Sequence, residues 1–299
     1  MFSVIKTKKI WFSLSGVLFV LSILAVAVWH LKLGIDFTGG SLMELHTPAH
    51  IEAVQLSNAA DTVLKDKSQV QPIGGDGYIV RTPFIDEPKH QAILEAIKKI
   101  PGIGEVREER FETIGPTVSA ELQSKAVWSI LVVLIAIILY VAWAFREVSH
   151  PIQSWKFGIV AVIALLHDVF IPVGVFAVLG KFLGYEVDTL FVTAVLTILG
   201  FSVHDTIVTF DRVREHIKRT PKAVFNELVD TSVRETLRRS INTSMTVLLV
   251  LLPVYFFGGE TIKQFLLVLI LGVIVGTYSS VCIACPLLSV WNDLAHNRS

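Results

Sequence analysis

Cysteine is nearly absent: only Cys282 and Cys285 occur, three residues apart in an apolar run, which excludes a disulfide-built scaffold. They lack the βαβ surroundings of a redox motif and read as small packing residues. Charge is scarce as well. Charged residues make up 17% of the chain, against about a quarter in a soluble domain. The 26 basic and 26 acidic residues cancel, so net charge gives no reason to invoke nucleic acid as a partner.

Apolar residues fill the space that charge leaves: 53% of the 299 residues are hydrophobic. Six runs approach or exceed the roughly 20 residues that a spanning helix needs. They are Ile10–Trp29, Ala126–Phe145, Phe157–Leu179, Leu190–Phe210, Ser240–Phe257 and Phe265–Trp291. The pattern predicts a polytopic α-helical membrane protein with six transmembrane helices. Ala25-Val26-Ala27 mimics a signal-peptidase site. The first run is nevertheless longer than the roughly 7–15 residues of a signal-peptide core, so an uncleaved anchor is expected.

Basic residues set the orientation. Lys6, Lys8 and Lys9 precede the first run, Arg146 and Lys156 flank the second connection, and residues 211–239 carry eight. The connections at 180–189 and 258–264 carry only Lys181 and Lys263. Both termini, residues 1–30 with the first helix and residues 126–299 with helices two to six, then begin and end in the cytoplasm, and 211–239 reads as a cytoplasmic loop. Residues 31–125 lie outside the cytoplasm.

That segment reads as one small α+β domain. Ser41–His46 alternates as a strand, His50–Lys65 has helical periodicity, and Val70–Ile73 and Tyr78–Phe84 are strand-like around the turn Gly74-Gly75-Asp76-Gly77. Asp86-Glu87-Pro88 opens a second helix that ends at Ile100-Pro101-Gly102, and Glu105–Thr113 closes as a strand. The order is β-α-β-β-α-β, that of a ferredoxin-like fold. Its carboxylates are spread as on a solvated surface, which suggests docking and no catalysis.

Ionisable residues within spanning runs are functional candidates by default. Asp205 follows His204 in the fourth run, and Asp168 follows His167 in the third. Steps of three and four from Asp205 meet Ser202, Thr197, Thr193 and Thr209, a hydroxyl stripe that predicts a polar track. Arg239 opens the fifth run, with Asn242, Thr243 and Thr246 continuing its face. Asp205 and Arg239 are offset by roughly 9 Å along the membrane normal, within reach of a snorkelling arginine. Unpaired and ionised at depth, Asp205 would cost at least ~2.5–3.5 kcal/mol. Hydroxyls alone commonly bond their own helix, and Arg239 alone is an ordinary cytoplasmic-side basic residue. Asp168 ranks below Asp205 because its helix lacks a hydroxyl stripe. Adjacent His-Asp pairs point about 100° apart, and no third ligand stands at i+3 or i+4, so no metal site is expected there. Gly272 and Gly276 form a GxxxG suited to close helix contact.

Five stretches together resemble the SecF family: LGIDFTGGSLMEL, ALLHDV, GFSVHDTIVTFDRVRE, TLRRSINTS and FFGGETIKQFLLVLILGVIVGTYSS. SecF proteins are the smaller halves of the SecD–SecF accessory complexes of bacterial secretion, within the resistance–nodulation–division superfamily. The resemblance implies a subunit, not an enzyme, that uses the proton motive force to promote protein translocation through SecYEG. It implies a SecD-like partner, SecYEG, unfolded preprotein and inner-membrane lipids as partners, with protons as the coupling ion and no other cofactor or metal. By position it assigns the proton relay to Asp205 and Arg239; Arg238 stands where the pattern is looser. His204 replaces the Asn usual in the family. It either joins the relay, since histidine titrates near neutral pH, or substitutes for the amide as a neutral hydrogen bonder.

Two other classes fit less well. A small-molecule or lipid exporter of the same superfamily normally has larger extracytoplasmic domains and about twice the helices. An intramembrane aspartyl protease of the presenilin type carries a GxGD signature, whereas Asp205 follows Ser202-Val203-His204.

Overall fold

The computed structural model describes residues 3–73, 76–146, 154–220 and 223–296. Gly74 and Gly75 of the expected turn and residues 147–153 of the second connection lie outside them. The chain divides into two compact units, residues 33–127 and residues 1–32 with 128–299.

The six apolar runs are helices. They are α1 (Lys8–Trp29), α5 (Pro116–Ala144), α6 (Ser154–Leu183), α7 (Thr189–Arg219), α8 (Phe225–Phe257) and a final one in three parts. That last helix runs as α9 (Glu260–Ser279), a π-helical turn (Ser280–Ala284) and α10 (Cys285–His296). Among the described residues, six helical stretches are long and apolar enough to cross a membrane. The middle of this unit is built on α6, α7 and the last helix, whose apolar windows are about half buried, while little of the α5 window is buried. The rings of Phe145 and Phe157 stack at 5.2 Å, and Phe210 meets Phe157 edge-on at 5.3 Å.

Glycine decides two close helix contacts. A Cβ at Gly174 of α6 would lie 2.4 Å from Cα of Ser22 in α1. Along the GxxxG, a Cβ at Gly272 would fall 2.2 Å from the Ile198 side chain, and one at Gly276 3.5 Å from Cα of Ser202. α9 therefore lies close against α7 where Ser202 and Asp205 stand.

Residues 211–219 and 225–239 differ from the expected loop: they are helical extensions of α7 and α8. These helices have 31 and 33 residues, well beyond the roughly 20 that span a bilayer. Each extension is amphipathic. Val213, Ile217, Phe225, Val229 and Val233 are buried, and Arg212 pairs with both Glu215 and Glu235 on the polar side. His216 Nε2 lies 3.0 Å from Glu235 as well. The dense charges that read as a solvated loop are the outer faces of two helices.

The second unit follows the expected order: β1 (Gly40–His46), α3 (Ala53–Leu64), β2 (Gln69–Ile73), β3 (Gly77–Thr82), α4 (Glu87–Lys98) and β4 (Arg107–Ile114). A short helical turn, α2 (Ile35–Thr38), precedes β1 within the GIDFTGG stretch. The sheet order is β2-β3-β1-β4, with every pairing antiparallel. Met43, Leu45, Tyr78 and Val80 face Leu56, Ile93 and Ile97 of the helices in one core. Tyr78 keeps its buried hydroxyl satisfied by donating to the Ile51 carbonyl at 2.6 Å and accepting from the Ile51 amide at 2.9 Å. His90 stacks on Phe111 and contacts Glu87 at 3.1 Å and Glu108 at 2.6 Å, joining α4 to β4. The Gln91 amide and then His90 hold the Glu87 carboxyl below the usual carboxylate range.

Candidate proton-carrying site

Asp168 and Asp205 are both buried in the helical unit, and serine hydroxyls surround each. Asp205 of α7 accepts from Ser240 Oγ of α8 at 2.5 Å and from Ser280 Oγ of the π turn at 2.7 Å. Asp168 of α6 accepts from Ser202 Oγ of α7 at 2.5 Å and from Ser279 Oγ of α9 at 2.6 Å. His167 Nδ1 completes the Asp168 shell at 2.9 Å. Asp168 is fully buried, and Asp205 is 7% exposed. His167 is buried too, and its Nε2 is among the described buried atoms that lack a hydrogen-bond partner.

The chain builds this arrangement locally. Neighbours on a helix point about 100° apart, so adjacent Ser279 and Ser280 can serve carboxylates on different helices. The switch from α to π winding falls at this pair, a feature that recurs at functional sites. On α7, Ser202 and Asp205 are three residues apart, so one turn supplies a donor to Asp168 and a carboxylate to Ser240 and Ser280. Pro172 has no N–H to offer the Asp168 carbonyl four residues earlier, which loosens α6 at that carboxylate.

The polar track differs from the expected one on both helices. Thr193 and Thr197 are exposed, and each donates to its own helix, to Thr189 O at 2.9 Å and Thr193 O at 2.8 Å. A step of four residues overshoots a turn by about 40°, so three steps carry Thr193 about 120° away from Asp205. Thr209, one step on, stays buried with Asp205 and meets Thr236 Oγ1 at 3.3 Å. On α8, Asn242, Thr243 and Thr246 are exposed, and the face turned inward carries Thr236, Ser240 and Ser244. Counting from Arg239 instead of Ser240 turns the expected face by one residue, about 100°. Ser244 in turn pairs with Thr277 of α9.

Arg239 is exposed and directly precedes the serine that holds Asp205; His204 and Arg238 are exposed too. The α8 side chain bonded to Asp205 is Ser240, not Arg239. Sequence reasoning missed Ser240, Ser279 and Ser280. Their signal was the tandem serine of TYSS and the serine after Arg239, both within stretches that carried the family resemblance. Cys282 and Cys285 are buried free thiols, and Cys285 Sγ lies 3.4 Å from the Ser280 carbonyl inside the π turn.

Residues 95–294 match the family model of the C-terminal region of SecD/SecF protein export membrane proteins, and residues 30–47 match the SecD/SecF GG motif. Protein translocase subunit SecF of Thermobaculum terrenum is 40% identical, over 98% of this chain and 95% of its own length. Protein translocase subunit SecDF of Bacillus subtilis is 34% identical over 95% of this chain, which spans 37% of that protein. The crystal structure of SecDF from Thermus thermophilus, described as a translocon-associated membrane protein, superposes with a TM-score of 0.85 at 28% identity. That match covers 98% of this chain and 39% of the SecDF chain. The chain belongs to the SecF family of protein translocase subunits, multi-pass proteins of the inner membrane.

Proposed function

We propose that the chain is the SecF half of a proton-driven complex with a SecD-like subunit, and that Asp205 carries the proton that drives protein export through SecYEG. One observation carries the assignment. Asp205 lies buried in the bundle, bonded only to the hydroxyls of Ser240 and Ser280 among the described residues. A hydroxyl can donate or accept. The ionised carboxylate accepts from both serines, and the protonated acid donates to one of them, so neither state leaves a buried group unpaired. An arginine in the same place would favour the ionised form alone.

Arg239 is the conformational partner in this reading. It stands one residue before Ser240, so a rotation or slide of α8 against α7 exchanges a hydroxyl for a guanidinium at the carboxylate and releases the proton. One charge crossing 100 mV supplies ~2.3 kcal/mol, enough to bias two states a few kcal/mol apart. Asp168 and His167 form a second, better-filled site, and His204 flanks the relay. Protons are the coupling ion, with no other cofactor.

The exposed polar residues of α7 and α8 at membrane depth, Thr193, Thr197, Asn242, Thr243 and Thr246, support a partner that covers them. A SecD-like subunit contributing a second set of helices suits that role, and the relatives named SecDF carry more than this chain's length in one protein. The sheet unit, with its β-α-β-β-α-β order and β4 beside β1, supports a ferredoxin-like domain on the extracytoplasmic side, where it would meet emerging unfolded preprotein. The basic residues of 211–239 support cytoplasmic termini. The test is secretion into vesicles holding this chain, its SecD-like partner and SecYEG under an imposed proton gradient. Asp205→Asn should abolish stimulation by the gradient and leave complex assembly intact. Stimulation equal to the parent's rejects the assignment.

A further inference from the structure

We propose that the sheet unit holds a binding site for a divalent transition-metal ion, typified by Zn2+, built from Glu44 and His46 of β1 and Glu109 of β4. One ligand atom from each lies within 4.8 Å of the other two, and His46 Nε2 is 3.9 Å from Glu109 Oε2. Ligands about 2.1 Å from a tetrahedral Zn2+ stand about 3.4 Å apart, so small side-chain movements close the site.

Two features of the side chains point to a ligand. Glu44 is only 7% exposed, yet among the described residues its carboxylate has no hydrogen-bond or salt-bridge partner. Its oxygens are not among the fully buried atoms that lack a partner, so they keep contact with solvent and are open to a bound cation. The basic residue directly across the ladder, Arg110, is turned away to Glu112, with Nε at 2.7 Å and Nη2 at 2.5 Å from Glu112 Oε1.

The backbone, in turn, is shaped to bring the third ligand in. Glu44 pairs with Arg110 and Leu45 with Glu108, so Glu109 is the extra residue of a β-bulge. Unbroken alternation from Phe111, which packs on the core, would turn position 109 toward the helices. The bulge re-aims it to the face of Glu44 and His46. Room for the imidazole comes from Gly77 on β3, where a Cβ would sit 3.0 Å from His46 Nε2. One imidazole and two carboxylates, with water completing the shell, suit Zn2+ better than the all-oxygen shells of Ca2+. The ion would pin β1 to β4 at the bulge, outside the unit that holds the proton site.

Calorimetric titration of the purified full chain with zinc sulfate, and separately with calcium chloride, tests this. One Zn2+ per chain is expected, with binding weakened at least about tenfold in His46→Gln and in Glu109→Gln. Both side chains are partly exposed, so these variants should fold. His90→Gln, which alters the other histidine–glutamate cluster of this unit, should leave the isotherm unchanged. No saturable Zn2+ binding, binding unaltered by His46→Gln and Glu109→Gln, or binding lost only in His90→Gln overturns the proposal. So does Ca2+ binding as tight as Zn2+ binding.

Discussion

Asp168 and Asp205 stand in the same bundle, each gripped by two serine hydroxyls, one of them from the tandem pair Ser279-Ser280. Their surroundings differ in two ways. Asp168 has a third partner, His167, from its own helix, and is sealed from solvent. Among the described residues Asp205 has only the hydroxyls; it keeps a sliver of exposure, and its α8 partner Ser240 directly follows Arg239. A filled, enclosed shell holds its carboxylate in one arrangement and ties α6, α7 and α9 together. A shell of hydroxyls that can each donate or accept allows two. In the proposed mechanism Asp168 is mainly a fastening, and Asp205 the moving part.

The comparison breaks most visibly at the fastening. Asp168→Ala strands the hydroxyls of Ser202 and Ser279 and leaves a cavity, which should destabilise the subunit by about 2–4 kcal/mol. Lower yield and earlier heat aggregation of the purified complex would record it. Asp168→Asn keeps the volume and should be far milder. If Asp168→Ala is as stable as the parent, the fastening role is wrong.

The next effects fall on the moving part. Arg239→Ala should remove most gradient-driven stimulation of secretion with no loss of assembly. Arg239→Lys keeps the charge without the planar fork and should retain an intermediate share. Equal activity of the two would show that charge plays no part. Ser240→Ala removes one of two donors, an interaction with a charged group worth about 1.5–3 kcal/mol. It should slow stimulation several-fold without abolishing it, and Ser280→Ala should do likewise. Smallest of all are Thr193→Val and Thr197→Val: among the described residues both hydroxyls bond only their own backbone, so secretion should match the parent within error. A clear defect there would restore a functional track along that face.

The six helices were legible because a spanning helix must be apolar over its whole membrane length, and no soluble element imitates that. The sheet unit was legible because alternation marks its strands and the Asp86 cap falls where its second long helix begins. Two things were harder to read. The extensions of α7 and α8 pack through residues such as Val213 and Val229, hidden among charges that look like a solvated loop. The partners of the carboxylates are serines, small enough to pass for packing residues, and only the fold shows that Ser280, 75 residues along the chain, lies beside Asp205. Asp205 was found from its cost in the membrane; its partners carry no such cost and gave no such signal.

Infrared difference spectroscopy of the assembled complex, cycled between acidic and alkaline pH, tests the division of roles most directly. A protonated carboxyl absorbs apart from a carboxylate, so each aspartate that changes protonation leaves a band. The account predicts that this band persists in Asp168→Asn and vanishes in Asp205→Asn. A band that survives in Asp205→Asn and is lost in Asp168→Asn would contradict it, and would move the proton to the enclosed site.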